Sequence, residues 1–108
     1  MPFSKLIASA AVLTTLAASP ASAQEKLEAG RKLFNQTAVP ACAVCHALKD
    51  AGAKGEIGPD LDELKPDVSR VEKAVRNGIG QMPAFTNLSD AQIKALGEYI
   101  NIVTSAAK

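Results

Sequence analysis

Residues 40–48, PACAVCHAL, hold both cysteines and the single histidine of this 108-residue chain. No other stretch restricts the fold as strongly. On a turn of helix, Cys42 and Cys45, three apart, project from one side, and His46 follows directly. Thioredoxin-like disulfide exchange would need a parallel sheet beside the motif, and no βαβ pattern is present. A structural zinc site needs four N or S ligands, whereas only three are available. A four-residue disulfide loop would add little stability. The C-x-x-C-H spacing instead fits covalent haem attachment, with the two thiols reaching the two vinyl groups of one porphyrin and His46 Nε2 facing its iron.

Which residues belong to the domain follows from the N-terminus. Residues 1–5 carry one positive charge, residues 6–18 are mostly apolar, and Ala21-Ser22-Ala23 is a small-x-small cleavage pattern. The apolar run is shorter than the ~20 residues of a spanning helix. The expectation is a cleaved export signal over 1–23, a domain over 24–108 and a mature form with no membrane span, located in the periplasm. There, thiols can become disulfides, bind metal or be used covalently.

Loss of Lys5 leaves basic and acidic residues equal in number, with no basic footprint for nucleic acid and no basic amphipathic stretch for a membrane surface. Lys49, Lys54, Lys65 and Lys94 read as solvated surface charge. With no Trp, and only Phe34, Phe85 and Tyr99 as aromatics after residue 23, a small chain has little to build a core from. A large apolar cofactor would supply the missing bulk.

The pattern reads as all-α. A first helix is expected over 25–36, with Leu27, Leu33 and Phe34 on one face and a gap at Gly30. A helical turn around 42–48 follows, then a glycine- and proline-rich loop over 52–66 that wraps around something. Ser69 to Glu72 and Ser89 to Gln92 match capping boxes, placing helices over 70–77, ended by Gly78, and over 90–104. The last helix repeats Ile93, Leu96, Gly97, Ile100 and Val103, and Leu96 with Tyr99 would fill the Gly30 gap.

A haem held by His46 needs a sixth ligand. There is no second histidine, and Met1 leaves with the signal, so Met82 remains. Its place in Gly80-Gln81-Met82-Pro83 suits a loop laid over a haem face, with Pro83 limiting its freedom. A His/Met pair raises the reduction potential and occupies both axial positions, which leaves electron transfer as the chemistry.

Gly30 and Phe34, CAVCH, Gly58-Pro59-Asp60-Leu61, Met82-Pro83, and Leu96 with Tyr99 together resemble the class I monohaem cytochromes c over essentially all of 24–108. The resemblance implies a small cytochrome c fold, with N- and C-terminal helices packed together around one haem c. It also implies that the Pro59 carbonyl accepts from His46 Nδ1 and that Pro59 and Leu61 pack on the haem. Residues 37–85 further resemble the small cytochromes that serve periplasmic molybdenum sulfite dehydrogenases as subunit or acceptor. This implies an electron carrier rather than an enzyme, its donor a sulfite dehydrogenase and its downstream acceptor an oxidase or another cytochrome. Two alternatives differ in kind: a haem enzyme or gas sensor with an exchangeable sixth ligand, and a thiol-disulfide oxidoreductase. Residues 61–66, LDELKP, carry no assignable chemistry.

Overall fold

The computed structural model describes residues 9–14 and 20–105. The expected export segment therefore lies largely outside the described residues. Five helices, a π-helical turn and one small hairpin make the fold: α1 Pro20–Lys32, the π turn Leu33–Thr37, α2 Cys42–Cys45, strands β1 Ala47–Leu48 and β2 Ala53–Lys54, α3 Leu61–Leu64, α4 Val68–Asn77 and α5 Asp90–Ser105.

The first helix begins five residues before the expected start and ends in the π turn, closed by Ala38 N–H donating to Leu33 O at 3.1 Å. The wider turn places the adjacent Leu33 and Phe34 both inside, Phe34 fully. Gly30 lets α5 come close: a Cβ there would collide with the Tyr99 side chain, lying 2.8 Å from its Cδ2. Tyr99 fills the gap, and Leu96 is buried one turn away. Gly97, on another face of α5, admits the start of α4, since a Cβ there would lie 3.2 Å from Val68 Cγ1. The last helix thus packs against both the first and the fourth.

The all-α reading holds, with one small addition: β1 and β2 pair antiparallel, Ala47 with Lys54 and Leu48 with Ala53. Two-residue strands leave no alternation to detect. One expectation needed correction. The capping box at Ser69 does not form: α4 starts at Val68, and Asp67 caps it by accepting from Arg70 N–H at 2.7 Å. The box at Ser89 does form, with Gln92 N–H donating to Ser89 Oγ at 3.1 Å and Ser89 N–H to Gln92 Oε1 at 2.9 Å. Gly78 ends α4 at φ +71°, donating its N–H to Ala74 O at 2.8 Å.

One carboxylate joins three segments. Asp50, in the hairpin turn, accepts from Tyr99 Oη at 2.5 Å and from Arg31 at 3.0 and 3.3 Å. The hairpin that follows His46 is thereby tied to α1 and α5.

Candidate functional site

The core does not close on itself. A cavity of about 810 Å³ opens between α2, the 55–66 loop, α4 and residues 79–85, and Cys42, Cys45, His46, Pro59, Leu61 and Met82 all line it. These six residues, up to 40 positions apart, meet because separate local devices carry them there.

In CAVCH, His46 N–H donates to Cys42 O at 2.9 Å and closes the turn that brings both cysteines to one side. The 55–59 loop presses against that turn. Gly58 N–H donates to Cys45 O at 2.7 Å. A Cβ at Gly55 would lie 2.6 Å from His46 N, and one at Gly58 would lie 2.6 Å from His46 Cε1. Only glycine allows the loop to lie so close to the motif.

His46 Nδ1 donates to Pro59 O at 2.7 Å. A carbonyl oxygen can only accept, so Nδ1 is the donor, and in the neutral ring this tautomer leaves the lone pair on Nε2. Beyond Pro59, Asp60 caps α3 by accepting from Asp62 N–H at 2.9 Å, and Asp62 Oδ2 accepts from Lys49 N–H at 2.7 Å. The LDELKP stretch acquires its reason here: Leu61, Leu64 and Pro66 line the cavity, and Asp62 fastens their helix to the hairpin.

Met82 is held by a reciprocal backbone pair with Ile79, each N–H donating to the other's carbonyl at 2.9 Å, while Phe85 N–H donates to Val75 O at 2.8 Å. Gly78 starts this loop with φ +71° and ψ 167°, a region essentially reserved for glycine, and a Cβ there would come 2.7 Å from Met82 O.

The walls are chiefly apolar, including Phe34, Val71, Val75 and Phe85. Burial pushes the Cys42 thiol up to about 11, with the neighbouring Cys45 adding to the shift, so it is protonated at neutral pH. The charged residues of the lining are Asp67, Arg70 and Lys73, at the start of and on α4. Both cations are exposed, and neither is in an ion pair among the described residues. Gly55, Asp62, Arg70 and Lys73 were not singled out as site residues by sequence. The glycine spacing just after CAVCH was a signal for Gly55, and the other three carried none.

Two thiols, an imidazole with a free Nε2, a thioether and apolar walls make a donor set suited to a haem with covalent attachment. Among the described residues no helix is long and apolar enough to cross a membrane.

Comparison with known proteins agrees with the donor set. Residues 25–100 match the family model described as cytochrome C oxidase, cbb3-type, subunit III. The chain is 30% identical over 80 residues to cytochrome c6 of Cyanidium caldarium, covering 68% of each protein. With cytochrome c6 of Cyanidioschyzon merolae it shares 30% identity over 97 residues, 82% of this chain and 86% of that protein. Among solved structures it is similar to the c-type cytochrome SorU from Sinorhizobium meliloti. The TM-score is 0.72 and the identity 52%, over 75% of this chain and 93% of the other.

Proposed function

The chain belongs to the c-type cytochromes and binds one haem c covalently, and from that premise we propose that it is a periplasmic electron carrier whose iron lies between His46 and Met82. The observation that carries the ligand assignment is the meeting of His46, its Nδ1 proton committed to Pro59, with Met82 on the wall of one cavity.

When bound, the haem supplies an iron couple that gains or loses one electron. The protein's own residues set the terms. Cys42 and Cys45 anchor the group, and the Pro59 carbonyl orients the His46 ring and strengthens its donation through Nε2. Met82, a soft thioether, would hold the iron opposite the histidine's contribution, favouring the reduced state and keeping small molecules off it. Arg70 and Lys73 are the cations of the lining that would meet the cofactor's carboxylates. The apolar walls exclude water, which keeps the change in solvation on electron transfer small.

The donor in this reading is a molybdenum sulfite dehydrogenase. Support comes from the resemblance of residues 37–85 to the cytochromes serving such enzymes, while the 52% identity to SorU supports the c-type cytochrome itself. Oxidation of sulfite with water to sulfate releases two protons and two electrons, so two carriers are reduced per sulfite and each passes one electron to an oxidase or another cytochrome. The export signal over 1–23 would place the carrier in the same compartment as that enzyme.

Stopped-flow mixing of oxidised holoprotein with a periplasmic sulfite dehydrogenase and sulfite tests the donor. Fast, enzyme-dependent haem reduction is the expected result. Reduction no faster than with sulfite alone would remove sulfite dehydrogenase as the donor while leaving the carrier assignment standing.

A further inference from the structure

The Met82 loop requires glycine at 78, and glycine at 78 makes the residue before it chemically labile. We propose that the bond between Asn77 and Gly78 is a deamidation site gated by haem loading, intact in the holoprotein and converting in chains that lack the cofactor.

Four asparagines fall among the described residues. Asn35, Asn87 and Asn101 donate their side-chain amides to main-chain carbonyls, of Ala51 at 3.0 Å, Thr37 at 3.1 Å and Pro66 at 3.4 Å. Each is followed by a larger side chain, Gln36, Leu88 or Ile102, that crowds the next backbone nitrogen. Asn77 differs on both counts. Of these four asparagines its side-chain amide alone has no hydrogen-bond partner among the described residues, it is exposed, and its successor has no side chain.

Deamidation begins when Gly78 N, giving its proton to water or hydroxide, attacks Asn77 Cγ. The N–Cγ bond forms, the Cγ–Nδ2 bond breaks, and ammonia leaves a five-membered imide. Water then opens the imide at either carbonyl, giving aspartate or isoaspartate. The folded chain opposes the first step in two ways. Gly78 N–H is committed to Ala74 O at 2.8 Å. Asn77 is the last residue of α4, and helical ψ near −42° holds the following nitrogen away from its own side chain.

Both restraints depend on the end of α4 staying wound. α4 supplies Val71, Val75 and Asn77 to the cavity wall, so a filled cavity clamps that end. Without the cofactor that clamp is missing, so the last turn of α4 opens at little cost and both restraints fall away with it. Conversion puts a negative charge in the wall, and isoaspartate adds a backbone atom next to the Gly78–Met82 contact, so a chain that waits too long loses the geometry that would receive haem. The gating rests on the haem reading above; the lability of Asn77 does not.

The test is peptide mapping by mass spectrometry after incubation at pH 8 and 37 °C. Four samples serve: native holoprotein, holoprotein in concentrated guanidinium chloride, the haem-free Cys42→Ala, Cys45→Ala chain in native buffer, and Asn77→Gln holoprotein in denaturant. The mass of the intact holoprotein confirms attachment of the haem beforehand, so failure of the haem reading is seen separately. Conversion at Asn77 is expected to be at least roughly tenfold faster in the haem-free and denatured samples than in native holoprotein. Asn77→Gln should abolish it. Equal rates in native holoprotein and the haem-free chain would overturn the gating. A denatured chain that converts first at Asn35, Asn87 or Asn101 would overturn the site.

Discussion

Gly58 lies against the imidazole of His46, so near that a Cβ at residue 58 would come 2.6 Å from Cε1, 2.9 Å from Nδ1 and 3.1 Å from Nε2. The contact and the Pro59 carbonyl fix the ring from two directions. Gly58→Ala is expected to force the ring to turn, lengthening the bond from Nδ1 to Pro59 O and destabilising the holoprotein by about 1–3 kcal/mol, as overpacking does. Denaturant titration measures the loss, and a displaced His46 Nδ1 proton resonance would locate it at the ring. A resonance identical to that of the parent protein would mean that the loop moves and the imidazole does not.

Met82→Ala removes the one sulfur of the cavity that is free of covalent attachment. The midpoint potential should fall, and the reduced protein should bind carbon monoxide rapidly without denaturant. An unchanged potential would show that the iron does not use this residue.

The haem-free Cys42→Ala, Cys45→Ala chain should be largely unfolded. A cavity of 810 Å³ left empty corresponds to an upper bound of about 20 kcal/mol at the cost per volume of engineered cavities, against the roughly 5–15 kcal/mol of a whole domain. Water entering the open mouth lowers that figure without restoring the lost contacts. A cooperative thermal transition with holo-like circular dichroism would contradict this expectation.

Tyr99 gives the protein an alkaline limit. Burial first, and then its hydrogen bond to Asp50, raise its phenol well above the ordinary 10.0. The native state therefore keeps this proton where the unfolded chain has released it. That contribution to stability is complete below about pH 10 and is lost as pH rises toward the folded-state value. Thermal melts from pH 8 upward should show Tyr99→Phe less stable at neutral pH and less sensitive to alkali; parallel alkaline slopes would put the sensitivity elsewhere.

Gly30→Ala should destabilise the α1 and α5 contact by about 1–3 kcal/mol, since the added methyl meets the Tyr99 ring. Gly52→Ala, where φ is +64° but no atom lies within 4 Å of the added Cβ, separates backbone strain from collision. The Gly30 change should cost more. A reversed order would assign the close approach a minor part in stability.

The parts of the molecule that were legible in sequence are those whose information is local or repeated. CAVCH announces itself by spacing, α5 by the recurrence of Ile93, Leu96 and Ile100, and Gly30 by being a gap on an apolar face. Met82 came from elimination among few possible donors, a form of reasoning that a second histidine would have defeated. Other features escaped for definite reasons. Asp67 and Ser69 are both good caps two residues apart, and the choice depends on tertiary packing that buries Val71 and Val75. The π turn differs from an α turn by one residue. The tie from Asp62 to Lys49, and that from Asp50 to Arg31 and Tyr99, join positions that no periodicity relates.

The contact of Gly30 with Tyr99 also sets a timetable. Gly30 and Tyr99 stand 69 positions apart in the chain, so the two outer helices meet only after a long loop has closed. Closing so long a loop is slow compared with winding a helix. Throughout that interval Cys42 and Cys45, which the finished fold draws into a wall, remain open to whatever delivers the haem. Late closure of the termini thus keeps both thiols within reach until the haem is attached, and the contact at Tyr99 seals the loaded chain.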